Sequence, residues 1–257
     1  MESVLNVLLS HQYASGLANL LQWWQPYAAS GELLLAYGGT KEHFAEIDFE
    51  PKCFVDDPRL RTRDNQRELQ SLGGIFRAAA RWLAKRPRQY SFVHLIEYDH
   101  LPLIADLNQR QLERLHEERA DVLAYHLRRV DRTSYAHYLY HAHNPAFHPF
   151  VRNLSVRADK DVILSMLGTG SFWRARAFEA VAAIDDTARI YGELFVPTVA
   201  HHLGFRLRDF REQNAFVTAL GERGLEVDAA RRSGGWSLHP VKRYWDVPRP
   251  ALVSTTR

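Results

Sequence analysis

The chain has 257 residues, a length that suits one large α/β domain or two small ones. Apolar residues make up 46% and charged residues 25% of the sequence, which are ordinary values for a globular protein. The net charge of +3 permits anionic ligands without requiring nucleic acid, and the single cysteine, Cys53, excludes an internal disulfide framework.

The sequence also indicates where the protein resides. No apolar run approaches the roughly 18–20 residues needed to cross a bilayer, and the first residues do not resemble a signal peptide. We therefore expect a soluble, cytoplasmic protein. Basic residues at 59–67 and 81–88 are interspersed with acids and match no nucleic-acid recognition motif, so we expect no nucleic-acid partner. We interpret these basic residues as solvated helix faces. The alternative is that they attach the protein weakly to the inner face of the membrane or to a phosphorylated acceptor.

In the first half of the chain, short continuous apolar runs alternate with segments whose apolar residues have helical spacing. The patterns predict strands at 4–10, 32–37, 53–55, 92–97 and 122–125, and helices at 16–27, 65–84 and 104–118. Alternating strands and helices favour an α/β fold with a mostly parallel central sheet flanked by helices.

The second half is less regular. Residues 131–162 show no clear period, and 164–167 lead into a glycine turn at 168–171. Beyond the turn, the sequence predicts helices at 174–184 and 194–203, a strand at 205–210, a loop-like stretch at 233–245 and a loose tail at 248–257. Since no Gly/Ser-rich linker divides the chain, we expect a single domain at 1–247.

The most informative segment is the apolar strand 92–97 and the acids that follow it. This strand reads as buried on both faces and ends in Glu97-Tyr98-Asp99. Ligands of open α/β sheets bind outside the carboxyl ends of the strands. Divalent cations such as Mg²⁺ bind there through oxygen ligands, usually with one or two protein carboxylates and the phosphates of a substrate. The segment therefore predicts a metal–nucleotide site.

The order of motifs resembles that of GT-A-type glycosyltransferases, nucleotide-diphospho-sugar transferases similar to family 2. Glu97-Tyr98-Asp99 is similar to the D-x-D motif, 168–178 to a glycine turn with an arginine-bearing helix, Glu193 to the last catalytic acid, and 237–242 to a C-terminal His-x-x-Lys segment. Two positions depart from the pattern: Glu97 replaces the first Asp, and Gly192 replaces the first acid of the catalytic pair.

The resemblance implies a GT-A-like fold with a nucleotide-binding half at about 1–130 and a more irregular acceptor-binding half at 131–247. It implies a metal-dependent, inverting transfer of sugar from a nucleotide-diphosphate donor, with UDP-sugars favoured, to a glycan or glycolipid acceptor. Asp99 would bind a divalent metal, Mn²⁺ or Mg²⁺, with His239 completing the coordination. Glu97 would hold a metal-bound water or a donor hydroxyl, and Lys242 would place its ammonium on the diphosphate.

Glu193 is the expected catalytic base for the attacking hydroxyl. A simpler interpretation is an acid that is stabilised by the dipole at a helix N-terminus. Asp185 and Asp186 are the nearest substitutes, and a retaining reaction is expected if none of these acids serves as the base.

The nucleoside is expected to bind in the loops after the first three strands. The candidates are His11, Tyr37, Gly38 and Asp57, since carboxylates accept hydrogen bonds from a uracil N3–H or ribose hydroxyls and glycine permits close approach. Each is equally interpretable as an ordinary turn residue. Trp173 is expected either to stack on a sugar ring or to lie in the core.

Two other functions stay open. His137, His141, His143 and His148 are of the type that binds zinc, so they would suit a metal-dependent hydrolase, although the segment lacks an H-E-x-x-H pattern. The third possibility is a nucleotide-binding domain of the same fold without catalysis.

Overall fold

The computed structural model describes residues 3–11, 14–24, 31–57, 74–86, 90–185, 187 and 189–243. Within these ranges the strands are β1 (Val4–Ser10), β2 (Gly31–Tyr37), β3 (Lys52–Phe54), β4 (Phe92–Glu97), β5 (Leu101–Pro102), β6 (Val122–Ala124), β7 (Arg128–Arg129), β8 (Leu164–Ser165), β9 (Ser171–Arg174), β10 (Leu207–Asp209) and β11 (Ser237–Leu238).

Along the chain, the described helices occur between successive strands. They are α1 (Ala14–Trp24), α2 (Lys41–Glu46), α3 (Gly74–Ala84), α4 (Leu107–Glu117), α5 (Ala136–Ala142), α6 (Phe147–Leu154), α7 (Ala175–Ala182), α8 (Gly192–His202) and α9 (Val227–Arg232), with short 3-10 turns at Arg211–Gln213 and Gly224–Glu226. Among the described residues, none of these helices is both long and apolar enough to span a bilayer.

Seven of the described strands form one sheet in the order β10-β6-β9-β4-β1-β2-β3. Its neighbours are parallel except for β9, which runs antiparallel to both β4 and β6. The expectation of a mixed α/β protein with a mostly parallel central sheet flanked by helices is confirmed. Two small antiparallel pairs, β5 with β11 and β7 with β8, lie outside this sheet.

Both faces of the central sheet are covered, which explains why its strands read as continuous apolar runs. On β1, Leu5 and Val7 belong to a core that includes side chains of α3, α7 and α8. Leu8 belongs to a core on the other face, with Trp24 of α1. The alternation of successive side chains in a strand supplies both cores.

The small β5–β11 pair fixes the C-terminal segment beside the end of β4. Ser237 is opposite Pro102 and Leu238 is opposite Leu101. The Val241 N–H donates to the Asp99 carbonyl at 2.7 Å. The carboxyl ends of β1, β2, β3 and β4 meet at one edge of the sheet, so the C-terminal segment lies over the edge where ligands bind in such folds.

Two expectations about the second half were wrong. The glycine turn continues into β9 before α7 begins, and Trp173 of β9 is fully buried. The Trp173 ring packs edge-on to Phe76 at 5.3 Å, so the core position, one of the two alternatives for this residue, is confirmed. The segment 131–162, expected to be irregular, contains α5 and α6, because Tyr138, Phe147 and other apolar side chains of these helices are buried.

Other predicted bounds shift by a few residues. The helix predicted at 65–84 is present from Gly74 to Ala84, while its first part lies outside the described residues. The strand predicted at 205–210 is shorter, covering Leu207–Asp209, and the stretch predicted as loop at 233–245 includes β11. The predicted tail at 248–257 and Asp186 also lie outside the described residues.

Candidate functional site

Three of the predicted site residues converge where β4 ends. Glu97 is the last residue of β4, Asp99 lies in the following turn, and His239 follows β11. One ligand atom from each of the three lies within 4.8 Å of the other two. We call Glu97, Asp99 and His239 the triad. Asp99 and His239 are each 6% exposed, so two of its members are buried.

The orientation of the His239 ring is fixed by a backbone carbonyl. His239 Nδ1 lies 2.6 Å from the Thr218 carbonyl oxygen, and because a carbonyl only accepts, Nδ1 carries a hydrogen. The other ring nitrogen, Nε2, faces Asp99 Oδ1 at 3.3 Å. In the neutral ring, Nε2 therefore directs a lone pair into the triad, which is the arrangement found in histidines that bind metals.

The two carboxylates of the triad raise the pKa of His239. Burial lowers the pKa of His239, but the neighbouring Asp99 carboxylate and then Glu97 raise it by more, so the pKa of His239 lies above its ordinary value. Asp99 Oδ1 is buried and has no hydrogen-bond partner in the described part of the chain, although His239 Nε2 lies 3.3 Å away as an ion-pair partner.

The triad fits a divalent cation. Two carboxylates and one imidazole suit Mn²⁺-like or Mg²⁺-like ions, with oxygen ligands predominating. A buried carboxylate oxygen without a hydrogen bond is costly, and a cation at this position would satisfy it. The fit rests on Asp99 Oδ1 and on the tautomer of His239.

A buried hydrogen-bond network holds the segments that carry the triad. The Thr169 hydroxyl accepts from the Glu97 N–H at 2.9 Å and contacts His100 Nδ1 at 3.2 Å. His100 Nε2 lies 2.8 Å from the Ser237 hydroxyl, which in turn lies 3.1 Å from the Tyr125 hydroxyl. Burial holds the pKa of His100 well below its ordinary value, so this ring is neutral. The network joins the turn after β4, the glycine turn and β11.

Gly170 makes this network possible. It adopts φ +77°, a conformation that favours glycine. A Cβ at this position would lie 2.4 Å from Cε1 of His100 and 2.6 Å from Cε2 of Tyr125. Only glycine therefore lets the turn approach these two rings.

Glu193, the predicted base, lies beside the triad in the first turn of α8. Glu193 Oε1 accepts from the Gly168 N–H at 3.1 Å, and Oε2 lies 3.5 Å from the Tyr135 hydroxyl. A Cβ on Gly168 would lie 3.6 Å from Glu193 Oε1 and 3.8 Å from Glu97 Oε1, so both carboxylates flank the same glycine.

The environment of Glu193 suits proton transfer. The residue as a whole is half-buried, but its carboxyl group is enclosed by protein. Burial raises the pKa of Glu193 to about 7, although the hydrogen bonds from Gly168 and Tyr135 act in the opposite direction. A carboxyl group with a pKa near neutrality can both accept and release a proton under cellular conditions.

The predicted nucleoside residues lie at the same sheet edge but differ in access. His11 is exposed and packs edge-on to Tyr98 at 4.9 Å. Partial burial of the imidazole lowers the pKa of His11, and the Asp99 charge opposes this effect without reversing it. Because the Asp99 charge acts on it, His11 borders the triad. Tyr37, 1% exposed, stacks on Phe44 in the interior, where the phenol packs against neighbouring backbone.

Three further predicted residues are spread around this edge. The Gly38 N–H donates to the Ser10 carbonyl at 2.8 Å, and Gly38 is buried. Asp57 is 5% exposed and lies against Gly74 at the start of α3. Lys242 is exposed next to Val241, and its N–H donates to Glu222 Oε2 at 2.8 Å.

The histidines of 137–148 do not form a comparable group. Within the described ranges, they do not assemble into a set of three metal donors. His141 is buried, and its Nε2 accepts from the Tyr191 N–H at 3.0 Å. His137 packs on the Tyr191 ring at 4.6 Å, and His143 is exposed.

Sequence reasoning missed the residues that support the triad, Thr169, His100, Ser237 and Tyr125, and the one that contacts Glu193, Tyr135. The only available signal was His100, a polar residue directly after Asp99 and before an apolar stretch. The other contacts join distant segments and leave no local pattern.

No protein-family model matches the chain, and no curated protein matches it. Among solved structures, the chain is similar to Rv0371c from Mycobacterium tuberculosis H37Rv, at 12% identity and a TM-score of 0.42, with 81% of this chain and 87% of that protein covered. This degree of similarity assigns neither a fold family nor a function.

Proposed function

We propose that the protein is a metal-dependent, inverting glycosyltransferase with a GT-A-like fold. The donor is a nucleotide-diphosphate sugar, with a UDP-sugar favoured, and the acceptor is a glycan or glycolipid. The observation that carries the proposal is the triad at the carboxyl end of β4, in which Asp99 Oδ1 has no hydrogen-bond donor among the described residues and His239 directs Nε2 inward.

In this proposal, the leaving diphosphate is the group that most needs stabilisation. A bound Mn²⁺ or Mg²⁺ would supply positive charge to that group. Asp99 and His239 would hold the ion, and Glu97 would hold a water next to it or a donor hydroxyl. Lys242, exposed beside Val241, supplies a second positive charge to the diphosphate.

Glu193 takes the proton of the acceptor hydroxyl. The hydroxyl oxygen forms a bond to the anomeric carbon while the bond from that carbon to the diphosphate oxygen breaks. The proton passes to the Glu193 carboxylate, which the Gly168 N–H and the Tyr135 hydroxyl orient. Glu193 and Glu97 flank Gly168, which is consistent with a base next to the donor.

The experiment has two steps. Calorimetric titration with UDP and GDP, each with and without Mn²⁺, should give metal-dependent binding of one nucleotide, and this binding should be lost in Asp99→Ala. Turnover of the matching sugar donors should fall by about 10²-fold or more in Glu193→Gln, because a general base typically contributes 10²–10⁴. Glu113→Ala, at an exposed acid of α4, is the matched control and should keep both properties.

Two results contradict the proposal. Absence of nucleotide binding under all four conditions removes the donor site. Metal-dependent nucleotide binding without turnover of any sugar donor excludes catalysis and favours the non-catalytic alternative.

A further inference from the structure

A cationic groove of about 930 Å³ lies beside the edge of the sheet formed by β6 and β10. Asp121 is the one acidic residue among the described residues that line it. We call this feature the arginine groove. The arginines that line it are Arg119, Arg128, Arg129, Arg157, Arg174, Arg176, Arg206 and Arg208.

Some of these arginines already have carboxylate partners. Asp121 pairs with Arg176, and Arg174 Nε lies 3.8 Å from the same carboxylate. Arg129 donates to Asp131 at 2.8 Å and lies 3.0 Å from Asp159, and Arg208 lies 3.5 Å from Glu118. These four arginines are therefore matched by four carboxylates.

The excess positive charge of the groove comes from the other four arginines. In the described part of the chain, Arg119, Arg128, Arg157 and Arg206 have no carboxylate partner within ion-pair distance. Arg157 is held in place by neutral groups, because Nε donates to the His201 carbonyl at 3.0 Å and Nη2 to the Phe205 carbonyl at 2.9 Å.

The positive charge of the arginine groove contributes to a low pKa of His201, which also lines the groove. Burial first, and then the charges of His202, Arg157 and Arg129, lower the pKa of His201 to about 4, against an opposing effect of Asp159. The arginine groove therefore has a positive potential that an anion would relieve.

We propose that the arginine groove binds a molecule that carries two or more phosphate groups. Guanidinium groups pair with phosphate in a bidentate manner, and several uncompensated arginines exceed what one phosphate needs. The volume lies in the range of small-molecule sites, about 300–1,000 Å³. Among its described lining residues the groove has one phenylalanine and no tyrosine or tryptophan, so it lacks the stacking platform of single-stranded nucleic-acid sites.

The arginine groove is distinct from the triad, although Arg128 approaches both. The Arg128 guanidinium lies 4.4 Å from the centre of the Tyr135 ring, and its charge lowers the pKa of Glu193. Test variants therefore leave Arg128 unchanged. Arg119 and Arg206 are exposed and contribute side chains that no described carboxylate engages, so glutamine at these positions should not disturb the fold.

The test is calorimetric titration with tripolyphosphate and with orthophosphate in EDTA, so that binding of metal at the triad does not contribute. Wild type should bind tripolyphosphate at least tenfold more tightly than orthophosphate. The double variant Arg119→Gln/Arg206→Gln should bind tripolyphosphate at least tenfold more weakly. The control Arg132→Gln/Arg232→Gln, which removes the same charge from exposed arginines outside the groove, should stay within twofold of wild type.

A second arm separates the sources of phosphate. Vesicles containing phosphatidylinositol bisphosphate that bind wild type and are displaced by tripolyphosphate indicate a phosphorylated lipid headgroup. Tripolyphosphate binding without vesicle binding indicates a free oligophosphate, and both results support the proposal.

Three results overturn it: no tripolyphosphate binding, an equal loss in the control variant, or tight binding of a single-stranded RNA that tripolyphosphate does not displace. Because the titrations contain no metal and no sugar donor, their failure leaves the proposed transferase activity untouched.

Discussion

Two regions of this protein are rich in side chains that bind metals, but the structure brings together only one of these sets. The histidines of 137–148 are close in sequence, and His137 and His141 lie one turn apart on α5. The triad draws its members from the end of β4 and from a segment far along the chain. Closeness in sequence is therefore a poor guide to a shared site here.

The difference has a physical cause. His141 uses Nε2 to accept the Tyr191 N–H, and His137 packs on the Tyr191 ring, so each histidine has a structural partner. In the triad, one ring nitrogen of His239 has a structural partner and the other faces an acid. His239 uses Nδ1 on the Thr218 carbonyl and turns Nε2 toward Asp99. A second partner that holds the far side of the ring is what prepares a histidine for a metal.

The largest effect is expected at the glycine turn that holds the triad. Gly170→Ala should lower the free energy of unfolding by about 3–5 kcal/mol, because it combines a left-handed conformation with overpacking against His100 and Tyr125. Gly234→Ala is the matched control, since Gly234 has φ +83° but no atom of the described residues lies within 4 Å of an added Cβ. It should cost about 1–2 kcal/mol. Urea unfolding of both variants measures the difference, and equal losses would show that the network exerts no packing constraint.

The next effect concerns the acid beside the triad. The pKa of Glu193 rises from 4.5 to about 7 on folding, so the folded protein holds this proton more tightly than the unfolded chain. The stability this provides is complete below pH 4.5 and is lost as pH rises through 7. Glu193→Gln removes the dependence, so between pH 5 and pH 8 its stability relative to wild type should rise by about 2–3 kcal/mol.

This comparison requires urea unfolding at both pH values in EDTA. Glu46→Gln, at an exposed acid at the end of α2, serves as the control and should show no such rise. A difference that stays constant between pH 5 and pH 8 would contradict the assignment of a raised pKa to Glu193.

A smaller effect is expected in the histidine segment. His141→Ala should cost about 2 kcal/mol, because it leaves a small cavity and the Tyr191 N–H without its acceptor. Its affinity for Mn²⁺ should match that of wild type. A tenfold loss of metal affinity with unchanged stability would move the metal site to 137–148.

The sequence predicted the first half of the fold well because buried parallel strands have a strong local pattern. β1, β2 and β4 lie within one residue of the predicted bounds. The strand β9 was missed, because Ser171–Arg174 is short and is placed by pairing with β4 and β6 rather than by its own periodicity. Trp173 then belongs to the core for the same reason.

The positions of the triad residues could likewise be predicted only where the signal is local. Glu97 and Asp99 follow from the end of a buried strand, a local feature. The nearness of His239 came from a resemblance of motifs, and nothing in its spacing from Asp99 reveals the β5–β11 pairing that creates it. The Thr218 carbonyl that orients His239 is backbone, and backbone partners have no sequence signature.

The most direct test of the account is a calorimetric titration of Mn²⁺ into the wild type, Asp99→Asn and His143→Ala/His148→Ala. We expect one site in the wild type, binding at least about 100-fold weaker in Asp99→Asn, since a direct ligand matters at least as much as its supporting partners, and affinity within twofold of wild type in the histidine variant. Unchanged affinity in Asp99→Asn, or loss of binding in the histidine variant, would contradict the assignment of the triad as the metal site.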